Sequence, residues 1–152
     1  MTVATETIRF LLCKLADEHY GLPMEVVREV IRWRVPTPIP GTPITVPGML
    51  HHRGAILPVI DVRSLLGIGR PAPGRSSRII VVEHNGIQAG IVGDAVADIV
   101  ERDDRATEPL PSSLPPAQAH YLTGLIVHEE QPVALLDLEA VFAAITASND
   151  AG

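Results

Sequence analysis

The chain opens on an apolar run, residues 7–15 (TIRFLLCKL), whose branched side chains favour extended backbone. The polar ADEH that follows reads as a turn before YGL, so the first element expected is a hairpin. Pro23 is placed to open a single helical turn, after which Val26, Val27, Val30 and Ile31 pull the backbone back to strand as far as Trp33. Residues 35–47 hold five of the 14 prolines and predict an extended connection without ladder bonds. Two further strands are expected at 48–52 and 55–61, turning at Arg53-Gly54, and VRSLLG predicts a short helix ended by Gly67. After a Gly/Pro/Ser-rich linker at 68–77, RIIVVEHNGIQAGIV places Asn85-Gly86 between apolar runs, the pattern of a type I′ hairpin. Residues 102–120 are acidic, then rich in Pro and Ser, and read as a second long connection. Leu138, Val141, Phe142 and Ile145 recur at helical spacing, predicting an amphipathic helix over 138–147 with a frayed end from Ser148.

The two halves resemble each other. At an offset of 69, FLLCKL (10–15) lies over IIVVEH (79–84), Gly21 over Gly90, and VVREVI (26–31) over AVADIV (95–100). At an offset of 76, GMLHHRGAILPVIDVRSLL lies over GLIVHEEQPVALLDLEAVF without a gap, matching Gly48 to Gly124 and Asp61 to Asp137. This predicts an internal duplication of two β units, 7–67 and 77–142, within one domain spanning 7–147, with flexible termini at 1–6 and 148–152.

Composition narrows the function. The chain has 152 residues, 46% of them hydrophobic, and suits one compact domain or two subdomains sharing a core. A net charge of −6 without a basic stripe argues against nucleic acid as a partner. The first residues lack a basic start leading into a long apolar stretch, and no apolar run is long enough to insert in a membrane, so a cytoplasmic protein is expected. Cys13, the single cysteine, lies in an apolar run and reads as a small buried hydrophobe.

Candidate chemistry concentrates in GMLHHRGAILPVIDV. One reading is a metal-dependent enzyme using His51, His52 or Asp61. Against it, neighbours on a strand point to opposite faces, and no H-E-x-x-H, Walker, G-x-S-x-G or G-x-G-x-x-G pattern occurs. Asp61 and Asp137 each precede a short helix and read as N-caps. The absence of such motifs points to binding, with Arg53 displayed on a tight turn.

GMLHHRGAILPVIDVRSLLG resembles the signature of CheW-like domains, the chemotaxis coupling proteins. YGLPMEVVREVI, GIVGDAVADIV, YLTGLIV and VALLDLEAVF are similar in the same order, from about residue 7 to 145. The resemblance implies an all-β fold with short helices: two five-stranded β-barrel subdomains around a shared hydrophobic core. It implies a non-catalytic adaptor, with no cofactor, that couples the cytoplasmic tips of methyl-accepting chemoreceptors to the CheW-like regulatory domain of the histidine kinase CheA. It further implies recruitment to membrane-associated receptor arrays, or the same scaffold in a twitching or other non-flagellar pathway. By position, Val27, Glu29 and Arg53 would face the receptor, near the groove between barrels, and the kinase would meet mainly the first barrel. The chain departs from the family pattern at His51-His52, where Asn and an apolar residue are usual, and at Gly93 before Asp94.

Overall fold

The computed structural model describes the backbone of residues 6–150 and the side chains of 6–146. Ten strands make two five-stranded sheets. The first half supplies β1 (Thr7–Leu15), β2 (Glu18–Pro23), a 3-10 turn (Met24–Val26), β3 (Val27–Arg32), β4 (Gly48–His52), β5 (Ala55–Ile60) and α1 (Val62–Leu66). The second supplies β6 (Arg78–His84), β7 (Ile87–Gly93), β8 (Ala95–Asp103), α2 (Pro116–Ala119), β9 (Leu122–His128), β10 (Gln131–Leu136) and α3 (Leu138–Asp150). The 102–120 connection also holds a 3-10 turn at Asp104–Ala106, capped by Asp103.

The sheets do not follow the sequential halves. Sheet one runs β8-β1-β2-β10-β9 and sheet two β3-β6-β7-β5-β4. Adding five to each strand number of sheet one, and counting on from β1 after β10, reproduces sheet two, so the duplication is real in three dimensions, but its opening hairpins are exchanged. Each sheet takes two strands from one half and three from the other. The units 7–67 and 77–142 are therefore repeats in sequence and not separate packing units. The exchange is sealed by parallel pairs between halves, Leu135 with Gly21 and Val59 with Gly90, which correspond through the two offsets.

This exchange explains the unbroken apolar runs of β1 and β6. A strand buried on both faces needs no polar alternation. Leu11, Cys13 and Leu15 face a core shared between the sheets, where they meet Leu22, Ile60, Ile80, Val82 and Ile91. Phe10 and Leu12 face the interior of sheet one with Val100, Ile126 and Val133, and Ile79 and Val81 face that of sheet two with Leu50, Leu57 and Val59. Cys13 is fully buried as expected, and burial pushes its thiol up to about 12.

The predicted turns form. Asn85 and Gly86 adopt φ of 52° and 79°, and Gly67 ends α1 at φ 69°. α3 runs on to Asp150, beyond the end expected at 147. Residues 1–5 and 151–152 lie outside the described residues. Neither sheet closes into a barrel by a ladder: in sheet two the edge strands β3 and β4 are not paired to each other. What joins those edges is side-chain chemistry.

Candidate functional site

β3 pairs with β6 through a bulge. Val27 stands opposite Val82 and Glu29 opposite Val81, leaving Arg28 as the extra residue. Val82 faces the shared core and Val81 the interior of sheet two, so the bulge puts Val27 and Glu29 on opposite faces. Val27 packs at the edge of the shared core, whereas Glu29 looks across the mouth of sheet two toward β4. Arg28 turns outward and donates to Glu83 at 2.9 Å and to the Glu25 carbonyl at 2.8 Å.

The β4–β5 turn meets Glu29 there. Arg53 and Gly54 take φ of 50° and 77°, the type I′ geometry that continues the strand twist. The Arg53 guanidinium reaches back with Nε to Glu29 Oε2 at 3.1 Å and with Nη2 to Oε1 at 2.8 Å, a two-pronged pair. His52 Nε2 lies 2.9 Å from Glu29 Oε2. Arg34 Nη2 donates to the His51 carbonyl at 2.6 Å. Four side chains, Glu29, Arg34, His52 and Arg53, thus bridge the two edges of sheet two, where a closed barrel would have ladder bonds. The donors hold the Glu29 carboxyl down to about 2, Arg53 contributing most and His52 next. Arg53 itself remains 74% exposed, so one face of its guanidinium is open to a partner.

The residues of the metal reading are not assembled. His51 is exposed while His52 turns inward to Glu29, the opposite-face arrangement expected of strand neighbours. Asp61 caps α1 through Arg63 N at 3.1 Å, and both of its oxygens are also held by the Arg63 side chain at 2.9 and 3.0 Å. Among the described residues no three His, Cys, Asp or Glu side chains come together as a metal-binding set.

Sequence reasoning missed Arg63 altogether. It is buried, and besides Asp61 it holds Asp94 at 2.7 Å; Asp94 in turn accepts from Ala16 N at 2.6 Å. Burial works against the Arg63 charge, but its two carboxylates outweigh that and raise its pKa above the ordinary arginine value. The only hint in the sequence is a charge inside the apolar DVRSLL.

The CheW-like domain profile matches residues 9–146. The chain belongs to the CheW-like domain family. It is similar to the chemotaxis protein CheW of Rhizobium meliloti, 30% identical over 129 residues that cover 85% of this chain and 83% of that one. Protein FrzA of Myxococcus xanthus is 33% identical over 122 residues, covering 77% and 72%. The crystal structure of the scaffolding protein TtCheW from Thermoanaerobacter tengcongensis superposes with a TM-score of 0.79 at 32% identity, covering 87% of this chain and 90% of that one. As a CheW-like protein the chain is a non-catalytic scaffold of chemotaxis-type signalling. No described helix is long and apolar enough to cross a membrane.

Proposed function

We propose that this chain works in the cytoplasm as the coupling piece between chemoreceptor tips and the CheW-like regulatory domain of a CheA-type kinase, and joins membrane-associated receptor arrays through them. In this reading Val27, Glu29 and Arg53 form the receptor-facing side. The observation that carries it is the Glu29–Arg53 bridge: a turn held in one conformation by two bonds while its arginine stays mostly solvent-exposed. An anchored but accessible arginine keeps little freedom to lose on docking, which favours affinity. Val27 contributes through the shared-core edge instead of the rim.

Arg53→Ala tests this in a reconstituted array of receptor, kinase and adaptor. An exposed ion pair adds little to stability, so the variant is expected to keep its circular dichroism and nearly its melting temperature. It should retain kinase binding and lose receptor-stimulated kinase activity. If melting temperature and both partner affinities fall together, Arg53 serves only to join β3 to β4, and the receptor-facing assignment fails.

A second reading keeps the adaptor and changes the output. Identity to FrzA is as high as to the Rhizobium CheW, and the PilI protein of Pseudomonas aeruginosa is 29% identical over 123 residues. Both readings need the same surfaces. Co-purification from the native cell distinguishes them by the receptor and kinase recovered.

A further inference from the structure

The last pair in the ladder between β3 and β6 sets Arg32 opposite Arg78. Residues opposite each other in an antiparallel ladder share one face with their Cα atoms about 5 Å apart, and like charges placed so repel. The repulsion does not come from a shortage of acids, since the chain has 18 Asp and Glu against 12 Lys and Arg. Among the described residues no carboxylate pairs with either arginine. The acids of the neighbouring strands are engaged elsewhere: Glu29 with His52 and Arg53, Glu83 with Arg28, and Asp94 with Arg63 and Ala16 N. On the other side of Arg78 the ladder continues to Gly93, which adds no side chain to the row.

The pair lies on the face of β3 opposite Glu29. Glu29 and Ile31 stand over Val81 and Ile79, inside sheet two, whereas Val30 and Arg32 stand over Ile80 and Arg78. Arg78 is half-buried and its guanidinium is fixed in place. Its Nη1 donates to the Arg75 and Ser77 carbonyls, both at 2.8 Å, leaving Nε and Nη2 without a partner among the described residues. Arg32 is exposed, and its side chain has no hydrogen bond or ion pair among them. Arg75, exposed on the turn before β6, adds a third positive charge beside the two.

We propose that Arg32 and Arg78 dock an extended acidic segment of a partner protein, one carboxylate to each guanidinium. A guanidinium fork takes a carboxylate through two parallel bonds, and Arg78 is already held for it by the two carbonyls. Alternate residues of an extended segment point the same way about 7 Å apart, so a Glu-x-Glu pattern reaches both arginines. A net charge of −6 repels an extended polyanion such as a membrane surface or nucleic acid, whereas a short segment meets only the local patch. That the segment belongs to a partner protein rests on the adaptor reading.

The full chain, isotope-labelled for NMR, is titrated with acetyl-Glu-Val-Glu-amide and with the same peptide carrying Gln for both Glu. The acidic peptide is expected to shift the amides of Arg32, Arg78 and Gly93 saturably, and the Gln peptide to bind at least tenfold more weakly. Arg32→Gln removes one guanidinium that holds nothing in the fold, so it should keep or raise the melting temperature while weakening the acidic peptide at least tenfold. Arg32→Glu should supply the missing carboxylate to Arg78 from within, raising the melting temperature and abolishing the shifts. Equal binding of the two peptides, no saturable shift with either, or undiminished binding to Arg32→Gln would overturn the proposal. So would flotation of the native chain with phosphatidylserine vesicles that Arg32→Gln abolishes, which would give the patch to a membrane. Each of those results leaves the receptor coupling tested at Arg53 standing.

Discussion

Glu29 shows how one carboxylate can stand in for missing backbone pairing. It is an edge-strand residue that collects contacts from two side chains of a different strand and turn. Its folded pKa, about 2, lies below the ordinary value of 4.5. A depressed acid contributes stability above its unfolded pKa and loses it as pH falls through the folded one. The bridge's contribution to stability should therefore be complete above about pH 4.5 and be lost progressively as the pH falls toward 2. NMR titration of the Glu29 carboxyl should give a midpoint near 2 in the native chain, moving up strongly in Arg53→Ala and less in His52→Ala. A native midpoint near 4.5 would mean that the bridge does not persist in solution. The partners were legible separately: Arg53 as a turn residue, His52 as a strand residue, Glu29 by resemblance. Their meeting was not, because nothing local in the sequence links residues on opposite edges of a curled sheet.

The same repeat gives elements that differ in how much they tolerate. Each proline-rich connection is stitched to a strand by a reciprocal pair of backbone bonds: Thr37 with Met49 at 2.8 and 2.9 Å, Glu108 with Leu125 at 2.7 and 2.8 Å. Gly48 and Gly124 lie directly before Met49 and Leu125, and the connection passes so close that neither leaves room for a side chain. A Cβ on Gly48 would collide with the Thr37 carbonyl, and one on Gly124 would come within 2.8 Å of Thr107 Cγ2 and 2.9 Å of the Glu108 carbonyl. Overpacking of this kind costs about 1–3 kcal/mol. Gly48→Ala should lower the urea midpoint more than Gly124→Ala, because the closer obstacle is backbone and cannot rotate away. Equal midpoints for the two variants would show that the connections shift freely. Turn chemistry was readable at Asn85-Gly86. It was not readable at Glu129-Glu130, which adopt φ of 52° and 64° without a glycine. There only the alignment with Arg53-Gly54 reveals the turn, since the flanking strands impose a conformation the local residues disfavour.

Across the whole molecule the exchange of hairpins makes the halves interdependent. The shared core draws Leu11 and Ile60 from one half and Ile80, Ile91 and Val141 from the other, so neither half can bury its apolar faces alone. Unfolding should be a single transition, with fluorescence of Trp33, packed against sheet two, coinciding with far-UV circular dichroism. Two separated transitions would contradict the shared core. Cutting within 68–77 should leave two fragments that are unfolded apart and recover native dichroism when mixed, because each sheet needs strands from both.

The sequence by itself determined the local elements: apolar runs made strands, Pro and Gly marked the breaks, and offsets of 69 and 76 exposed the duplication and the family. These are legible because periodicity and turn chemistry act between neighbours along the chain. Only the tertiary structure decided that the repeats swap their opening hairpins, that an ionic bridge holds the edges of sheet two, and that a buried arginine joins two carboxylates where the chain crosses between the sheets. Those outcomes depend on residues tens of positions apart, such as Arg63 and Asp94, whose pairing follows from which strands become neighbours. The pattern of a single strand says which faces are buried, but not against which partner.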